Sequence, residues 1–440
     1  MKIELEINKI KEFSKEYNSN NDNKNIENSI VKKGIEKTCI NNNVLIENQP
    51  IFNIELLEGK KYNQQQSSMC WIFAGFNLIR YNIANNLNIN IKNVNLSNNY
   101  ISFFDKLEKS NNVYENIINS KNTDLDYLKN EKFIDYCVTE AGYWEWFVAI
   151  VEKYGLIPYK CYPDVYENQN TFNINSLYIE KVKKDILELI ELKKNNTDIN
   201  ILRAKKELYL KNNYEFLSKI LGEPPLEFSY EYKDKNDKNI ILNKITPIEF
   251  KNKFLTLNLK EFVNIGNMPM YNKKYYTLYR QKYLGNVYGN STVKYLNLPI
   301  NDLKTLSIKQ LNDGLPVYFG SYVFKCRNLK SGILDTRLYN YSDILNFKKL
   351  FKKEALNLND INMHHCMVFT GVNIINNKPQ RWKVEDSFGC NNELNGNYVM
   401  NDNFFNEFVF NVIINKKYLS KEQIEMLNQE SIDFDLNDPF

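Results

Sequence analysis

The chain has 440 residues, 43% of them apolar, enough for one large or two to three ordinary domains with a substantial core. Lys plus Arg number 57 and Asp plus Glu 53, and the formal charge of +4 excludes a strongly basic nucleic-acid binder and an acidic solvating tail as the main theme. With 15 Gly, 11 Pro and 14% aromatics, collagen-like and disordered classes fall away, and seven scattered Cys without a CxxC pair point to reduced thiols in a cytosol rather than a disulfide framework.

The amino terminus, MKIELEINKIKEF, alternates charge with apolar residues and has no apolar h-region, so it does not read as a signal peptide. No uncharged apolar run of about eighteen residues occurs, so no transmembrane helix is expected. Residues 1–20 read as a helix and 18–28 as a polar break. Residues 62–69, YNQQQSSM, form a polar turn that stops at Cys70. A strong helix follows, with Ala74, Leu78 and Ile79 on one face and Ser67 or Ser68 as its expected N-cap. Helical patterns recur from Ser97 to Lys109, with Tyr100, Phe103 and Phe104, and over 144–154, closed by Gly155 and Pro158. Two long charged helices occupy about 175–220. Tyr-rich and β-branched stretches at 226–241 and 277–297 then carry turn signals at Gly285-Asn286 and Gly289-Asn290. Strands are predicted at 315–320, 365–374, 380–386 and 397–400. The chain passes from mostly helix to mostly strand, which predicts an α+β protein with a helical lobe and a β lobe.

There are two histidines, adjacent at His364 and His365, so any chemistry needing an imidazole near neutral pH must use one of them. Neighbours on a strand face opposite ways, which disfavours a His-rich zinc site and leaves one catalytic His open. Cys70 sits at a predicted helix start, where the helix N-terminus favours a thiolate, although a lone Cys is more often buried and inert. Gln64, on the loop before it, can donate to an oxyanion beside the Cys70 N–H, or be one solvated Gln among Gln64-Gln65-Gln66. His365 opens a predicted strand, and Asp386 ends the next one within WKVEDSFG. Asp386 is placed either to accept from that imidazole or simply to form a turn before Ser387 and Gly389.

Each signal is weak alone. Together, QQQSSMCW, HCMVFTGV and WKVEDSFG, in that order, resemble the papain-like cysteine peptidases, and within them the bleomycin hydrolase and aminopeptidase C branch. VLIENQPIFNIELLEG, LSNNYISFFDKLEKSN, AGYWEWFVAIVEKYGLIPYKCYP, LGEPPLEFSYEYKD, ITPIEF, YLGNVYGN, YLNLPI and DGLPVYFG are similar to that branch's landmarks, collinear over roughly residues 40 to 440. The resemblance implies a two-lobe papain-like fold with a helical insertion. It implies Cys70 as nucleophile, His365 as general base and acid, Asp386 as its orienting partner, Gln64 as oxyanion donor and Gly142 as a point of close substrate approach. No metal or other cofactor is implied. The expected organisation is an N-terminal arm over 1–61, a helical lobe over 62–164, a helical insertion over 165–265 that serves oligomerisation, a β-rich lobe over 266–420 and a C-terminal arm over 421–440. The implied activity is that of a cytoplasmic aminopeptidase acting on peptides, assembled as a homohexamer, with no membrane or nucleic-acid partner.

The sequence departs from the branch at several points. Asp386 stands where the family has Asn, which should raise the imidazole pKa. Phe388 replaces a Trp, Ser68-Met69 replace Gly-Arg, and His364 and Cys366 replace small residues. The ending Asn437-Asp438-Pro439-Phe440 is a few residues shorter than the family's arm, which leads us to expect a cleft open on its non-primed side. Two alternatives follow: a weakly active or inactive scaffold of the same fold, and an oligopeptidase or endopeptidase.

Overall fold

The first helix runs over Ile7–Ser19, and a second follows at once over Asn21–Lys33, where a polar break was expected. Asn20 starts that second helix by accepting the Asp22 N–H on its side chain, and no residue of either helix is buried, so apolar periodicity carries no sign of it. The computed structural model describes residues 4–124, 138–281, 284–290, 292–434 and 438–440. Among these, no helix is long and apolar enough to cross a membrane.

The helix Cys70–Leu87 is buried at every position from Cys70 to Arg80, not on one face alone. Gly75 permits this, because a Cβ there would lie 2.8 Å from the Phe147 ring. Phe147 belongs to the helix Trp144–Tyr154, which ends at Gly155 with φ +83. A third helix, Asn98–Asn119, is capped by the Ser97 side chain on the Tyr100 N–H. The two long charged helices are Phe172–Lys194 and Ile199–Leu221. They pack on Asn98–Asn119 through polar bonds as well as apolar contacts: Tyr114 donates to Asp185 at 2.7 Å, and Asn213 donates to Tyr114 at 3.1 Å.

Twelve strands of the described residues join one mixed sheet. Its central run, in spatial order, is Phe262–Gly266, Val409–Asn415, Val317–Ser321, His365–Ile375, Lys378–Glu385 and Asn397–Asn401, every neighbour antiparallel. The strands expected at 315–320, 365–374, 380–386 and 397–400 therefore form to within about two residues. Val317–Ser321 is buried throughout, and so are the first nine residues of His365–Ile375, which is why both read as near-continuous apolar runs. The Tyr-rich stretch at 226–241 forms a separate hairpin, Phe228–Lys233 with Asn239–Ile245. The boundary expected at residue 265 falls inside the strand Phe262–Gly266, which pairs with Val409–Asn415 and so belongs to the sheet. The overall arrangement is the predicted α+β one, with helices preceding a β-rich half.

A fully buried ion pair ties the two halves together. Arg80, from the Cys70 helix, places its Nη2 2.6 and 2.5 Å from the two carboxylate oxygens of Glu385, at the end of a sheet strand. Glu385 immediately precedes Asp386, so this pair fixes the distance between the helix that starts at Cys70 and the strand end that carries Asp386.

Candidate active site

Cys70 is the first residue of its helix, and Met69 is the N-cap, with no side-chain cap bond. The expected Ser67 or Ser68 cap does not form. Ser67 Oγ instead donates to the Gln64 carbonyl at 2.6 Å, and the Ser68 N–H donates to Glu140 at 2.7 Å. The first N–H groups of the helix therefore keep no side-chain acceptor and confer partial positive charge on the space around Cys70.

His365 begins its strand, in register with Ser321. Its Nε2 lies 2.7 Å from Asp386 Oδ1, with both side chains buried. Asp386 Oδ1 also accepts the Ser387 N–H at 2.6 Å, while Oδ2 is buried without a partner. Burial works against a charged imidazole, but the Asp386 carboxylate and the Cys70 sulfur outweigh it and push the His365 pKa up to about 10. Phe388 lies flat on His365, ring centroids 4.6 Å apart and planes 5° from parallel, so it covers the His–Asp contact as a shielding aromatic would.

The Cys70 thiol is held well below its ordinary range. The first cause is a hydrogen bond with the Cys366 thiol; burial opposes it, and the hydrogen bond and charge of His365 add to it. The Cys366 pKa moves the opposite way, well above the ordinary value, because of the same bond to Cys70 and its own burial. The titrations of the two thiols are therefore linked, with Cys70 lowered and Cys366 raised. None of the described cysteines forms a disulfide.

Gln64 is buried on the same cleft. Its Nε2 donates to the Ser67 carbonyl at 2.7 Å and its Oε1 accepts from Ser387 Oγ at 2.6 Å. Gly142 lines the cleft as well, but the ban on a side chain there comes from behind: a Cβ would lie 2.5 Å from the Trp71 ring. Cys70, Gln64, Gly142, His365 and Cys366 thus meet on one cavity of about 810 Å³, with Asp386 directly behind His365. His364 lines the same cavity further along. Its pKa falls to about 4 through burial, the opposite of its neighbour. Among the described residues no group of His, Cys, Asp and Glu is arranged to hold a metal ion. At the chain's end, the Met363 N–H donates to the Pro439 carbonyl at 2.8 Å, and Phe440 stacks on Tyr295 with centroids 4.0 Å apart.

Sequence reasoning missed Glu140 and the buried Lys109 behind it. Glu140 holds the loop before Cys70 through the Ser68 N–H and also accepts from Thr171 Oγ1 at 2.7 Å. Lys109, buried and paired with Asp105 at 2.6 Å, donates to the carbonyls of Thr139 and Ala141 at 2.6 and 3.1 Å. The available signal was the position of Glu140 just before Ala141-Gly142. Charged residues on the aromatic helix face at 98–109 gave no sign of being buried.

Residues 4–440 match the family described as Peptidase C1-like. The chain is 35% identical over 433 residues to Aminopeptidase C of Listeria monocytogenes, covering 98% of this chain and 97% of that protein. It is 32% identical over 428 residues to Aminopeptidase E of Lactobacillus helveticus, covering 97% of each. The crystal structure of pepw from Lactobacillus rhamnosis superimposes with a TM-score of 0.94 at 34% identity, covering 98% of both chains.

Proposed function

Since the chain belongs to the Peptidase C1-like family, with its papain-like fold, we propose that it is a cysteine aminopeptidase that removes residues from the free N-termini of peptides. The observation that carries the reading is the convergence on one cleft of an uncapped helix start bearing Cys70, the His365–Asp386 pair and the Gln64 amide.

In this reading the Cys70 thiolate attacks the carbonyl carbon of the scissile bond. The oxyanion that forms accepts from the Cys70 N–H and from the Gln64 NH₂ group, which has a second N–H besides the one given to Ser67. The His365 imidazolium transfers a proton to the leaving nitrogen, and the amine departs from a Cys70 thioester. His365, now neutral, takes a proton from water as it attacks that thioester. The acid product leaves, and thiolate and imidazolium are restored. Asp386 keeps the Nε2–H in place throughout, so the other ring nitrogen faces the reaction. Gly142 presents its backbone to the cleft, where a substrate main chain can lie.

The same reading assigns peptides as substrates and a cytoplasmic location, because a thiolate beside a second thiol persists only where thiols are kept reduced. It also assigns a homo-oligomer, the expected hexamer, which would cover apolar side chains such as Ile7, Phe13 and Val31 on helices that bury nothing within one chain. Light scattering on the purified protein tests the assembly.

One experiment tests the activity: hydrolysis of an aminoacyl arylamide with a free α-amine, against its N-acetylated form, by the wild type and Cys70→Ala. Cleavage of the free form alone, abolished in the variant, is the expected result. Equal cleavage of both forms would replace the aminopeptidase with an open-cleft endopeptidase, and undiminished cleavage by Cys70→Ala would remove Cys70 from the mechanism.

A further inference from the structure

Cys366 lines the same cavity as Cys70, and no step of the acyl transfer uses it. Among the described cysteines these are the two that line that cavity. They come from different parts of the fold. Cys70 starts a helix, whereas Cys366 is the second residue of a sheet strand, in register with Gly320, which offers no side chain to pack against it. The Arg80–Glu385 pair holds the Cys70 helix against that sheet, so the two sulfurs, joined by a side-chain hydrogen bond, stay neighbours.

The two thiols differ in the property by which an oxidant discriminates. Cys70 is held well below the ordinary thiol range, and Cys366 is pushed well above it, so at neutral pH one is the nucleophile and the other keeps its proton. Peroxides oxidise thiolates, and a sulfenic acid formed beside a second thiol condenses with it. We propose that Cys70 and Cys366 form a peroxide-reactive pair, in which a hydroperoxide oxidises Cys70 and Cys366 closes a disulfide with it, leaving the protein inactive and recoverable. The Cys70 thiolate attacks one peroxide oxygen, the O–O bond breaks, and the departing hydroxide or alkoxide takes a proton from the His365 imidazolium. Cys70 is then a sulfenic acid. The Cys366 sulfur attacks the Cys70 sulfur, the S–O bond breaks, and the hydroxyl leaves with the Cys366 proton as water. The two sulfurs lose two electrons, and the peroxide gains both. A dithiol reductant restores both thiols by exchange. Without Cys366 the sulfenic acid would advance to the sulfinic acid, which thiols do not reduce. This chemistry needs the pair of thiols and no peptide, so it is tested apart from the peptidase reading.

The fully reduced protein is treated with hydrogen peroxide, the excess is removed with catalase, free thiols are alkylated, and the unreduced protein is digested for peptide mass mapping. The wild type should yield a cross-linked peptide pair joining Cys70 to Cys366. Hydrolysis of the free-amine arylamide should be lost in step with that cross-link and return almost fully with dithiothreitol. In Cys366→Ser the same treatment should leave Cys70 as the sulfinic acid. The share of that variant's own starting activity recovered by dithiothreitol should then be several-fold below the wild type's. Normalising to each protein's starting activity keeps any effect of the substitution on the basal rate out of the comparison. Oxidised wild type without the Cys70–Cys366 cross-link, or with Cys70 joined to another cysteine, overturns the proposal, as does recovery in Cys366→Ser equal to that of the wild type. The cross-link is read by mass, so its formation in a protein that cleaves no arylamide supports the proposal and removes the peptidase reading alone.

Discussion

Replacing Asp386 with Asn separates the two services a carboxylate performs for His365. Orientation survives the change. Asn Oδ1 still accepts from His365 Nε2 and from the Ser387 N–H, and the new NH₂ falls where Asp386 Oδ2 is buried with no partner to lose. Charge does not survive. At an effective dielectric near 20, a charge about 4 Å from the imidazolium stabilises it by about 4 kcal/mol, or roughly three pKa units. The His365 pKa, about 10 in the wild type, should fall to about 7 in the variant. In the proposed mechanism the active form is the imidazolium paired with the thiolate, and an imidazolium exists below its pKa, so lowering the pKa removes activity from the alkaline side. With a pKa of about 7, about 3% of the imidazole is protonated at pH 8.5, so kcat/KM there should be about thirtyfold lower than at pH 6. The wild type should stay nearly level over the same range. The assay is kcat/KM against pH for a substrate whose own amine does not titrate in the window. An alkaline limb within one unit of the wild type's would refute the charge argument. A loss beyond a hundredfold at every pH would show that the carboxylate is needed for the chemistry itself.

Three further outcomes follow from the same geometry. Cys366→Ala removes the proton donor that lowers the Cys70 pKa most, so the pH profile of Cys70 alkylation by iodoacetamide should move to higher pH; an unmoved profile would mean that His365 alone sets the thiolate. His365→Ala should reduce kcat by several orders of magnitude and His364→Ala far less, since only His365 contacts Asp386; the reverse ranking would make His364 the base. Glu385→Gln leaves the Arg80 guanidinium charged and buried without its counter-ion and should reduce unfolding stability by about 3–5 kcal/mol in urea titration, whereas a change under about 1 kcal/mol would show that the Lys60 carbonyl and other neighbouring acceptors suffice for Arg80.

The parts of this molecule legible in its sequence are those governed by local pattern. Val317–Ser321 and His365–Ile375 were readable because burial on both faces demands unbroken apolar runs. The start of the Cys70 helix was readable because a polar turn gives way abruptly to an apolar stretch. The helix Asn21–Lys33 was not, since it buries nothing and its Asn-rich composition is also that of a loop. Nor was the presence of Cys366 on the cleft, because strand alternation predicts that the neighbour of His365 turns away from whatever His365 faces, yet both line it. The roles of Glu140, Lys109 and Arg80 depend on partners such as Ser68, Thr171 and Glu385 that only the folded chain brings near, and no window of sequence contains them.

The loop before Cys70 holds the cleft through its backbone, which bears on the departures from the branch's residues that the resemblance implies. Its backbone is paired with the segment that follows Asp386: the Gln64 N–H donates to the Ser387 carbonyl at 2.7 Å, the Gly389 N–H donates to the Tyr62 carbonyl at 3.1 Å, and Asn63 bridges Phe388 antiparallel. These bonds use main-chain atoms, so they hold whatever side chains residues 386 and 388 carry. They lock the Gln64 side of the cleft to the His365–Asp386 side in a fixed register, and the Arg80–Glu385 pair fixes the same spacing from the helix. An Asp in place of Asn, or a Phe in place of Trp, can then alter charge and shielding without moving the sulfur, the imidazole or the amide relative to one another. Geometry and electrostatics are thereby separable at this site, so substitutions at 386 should move pH profiles more than they move the fold.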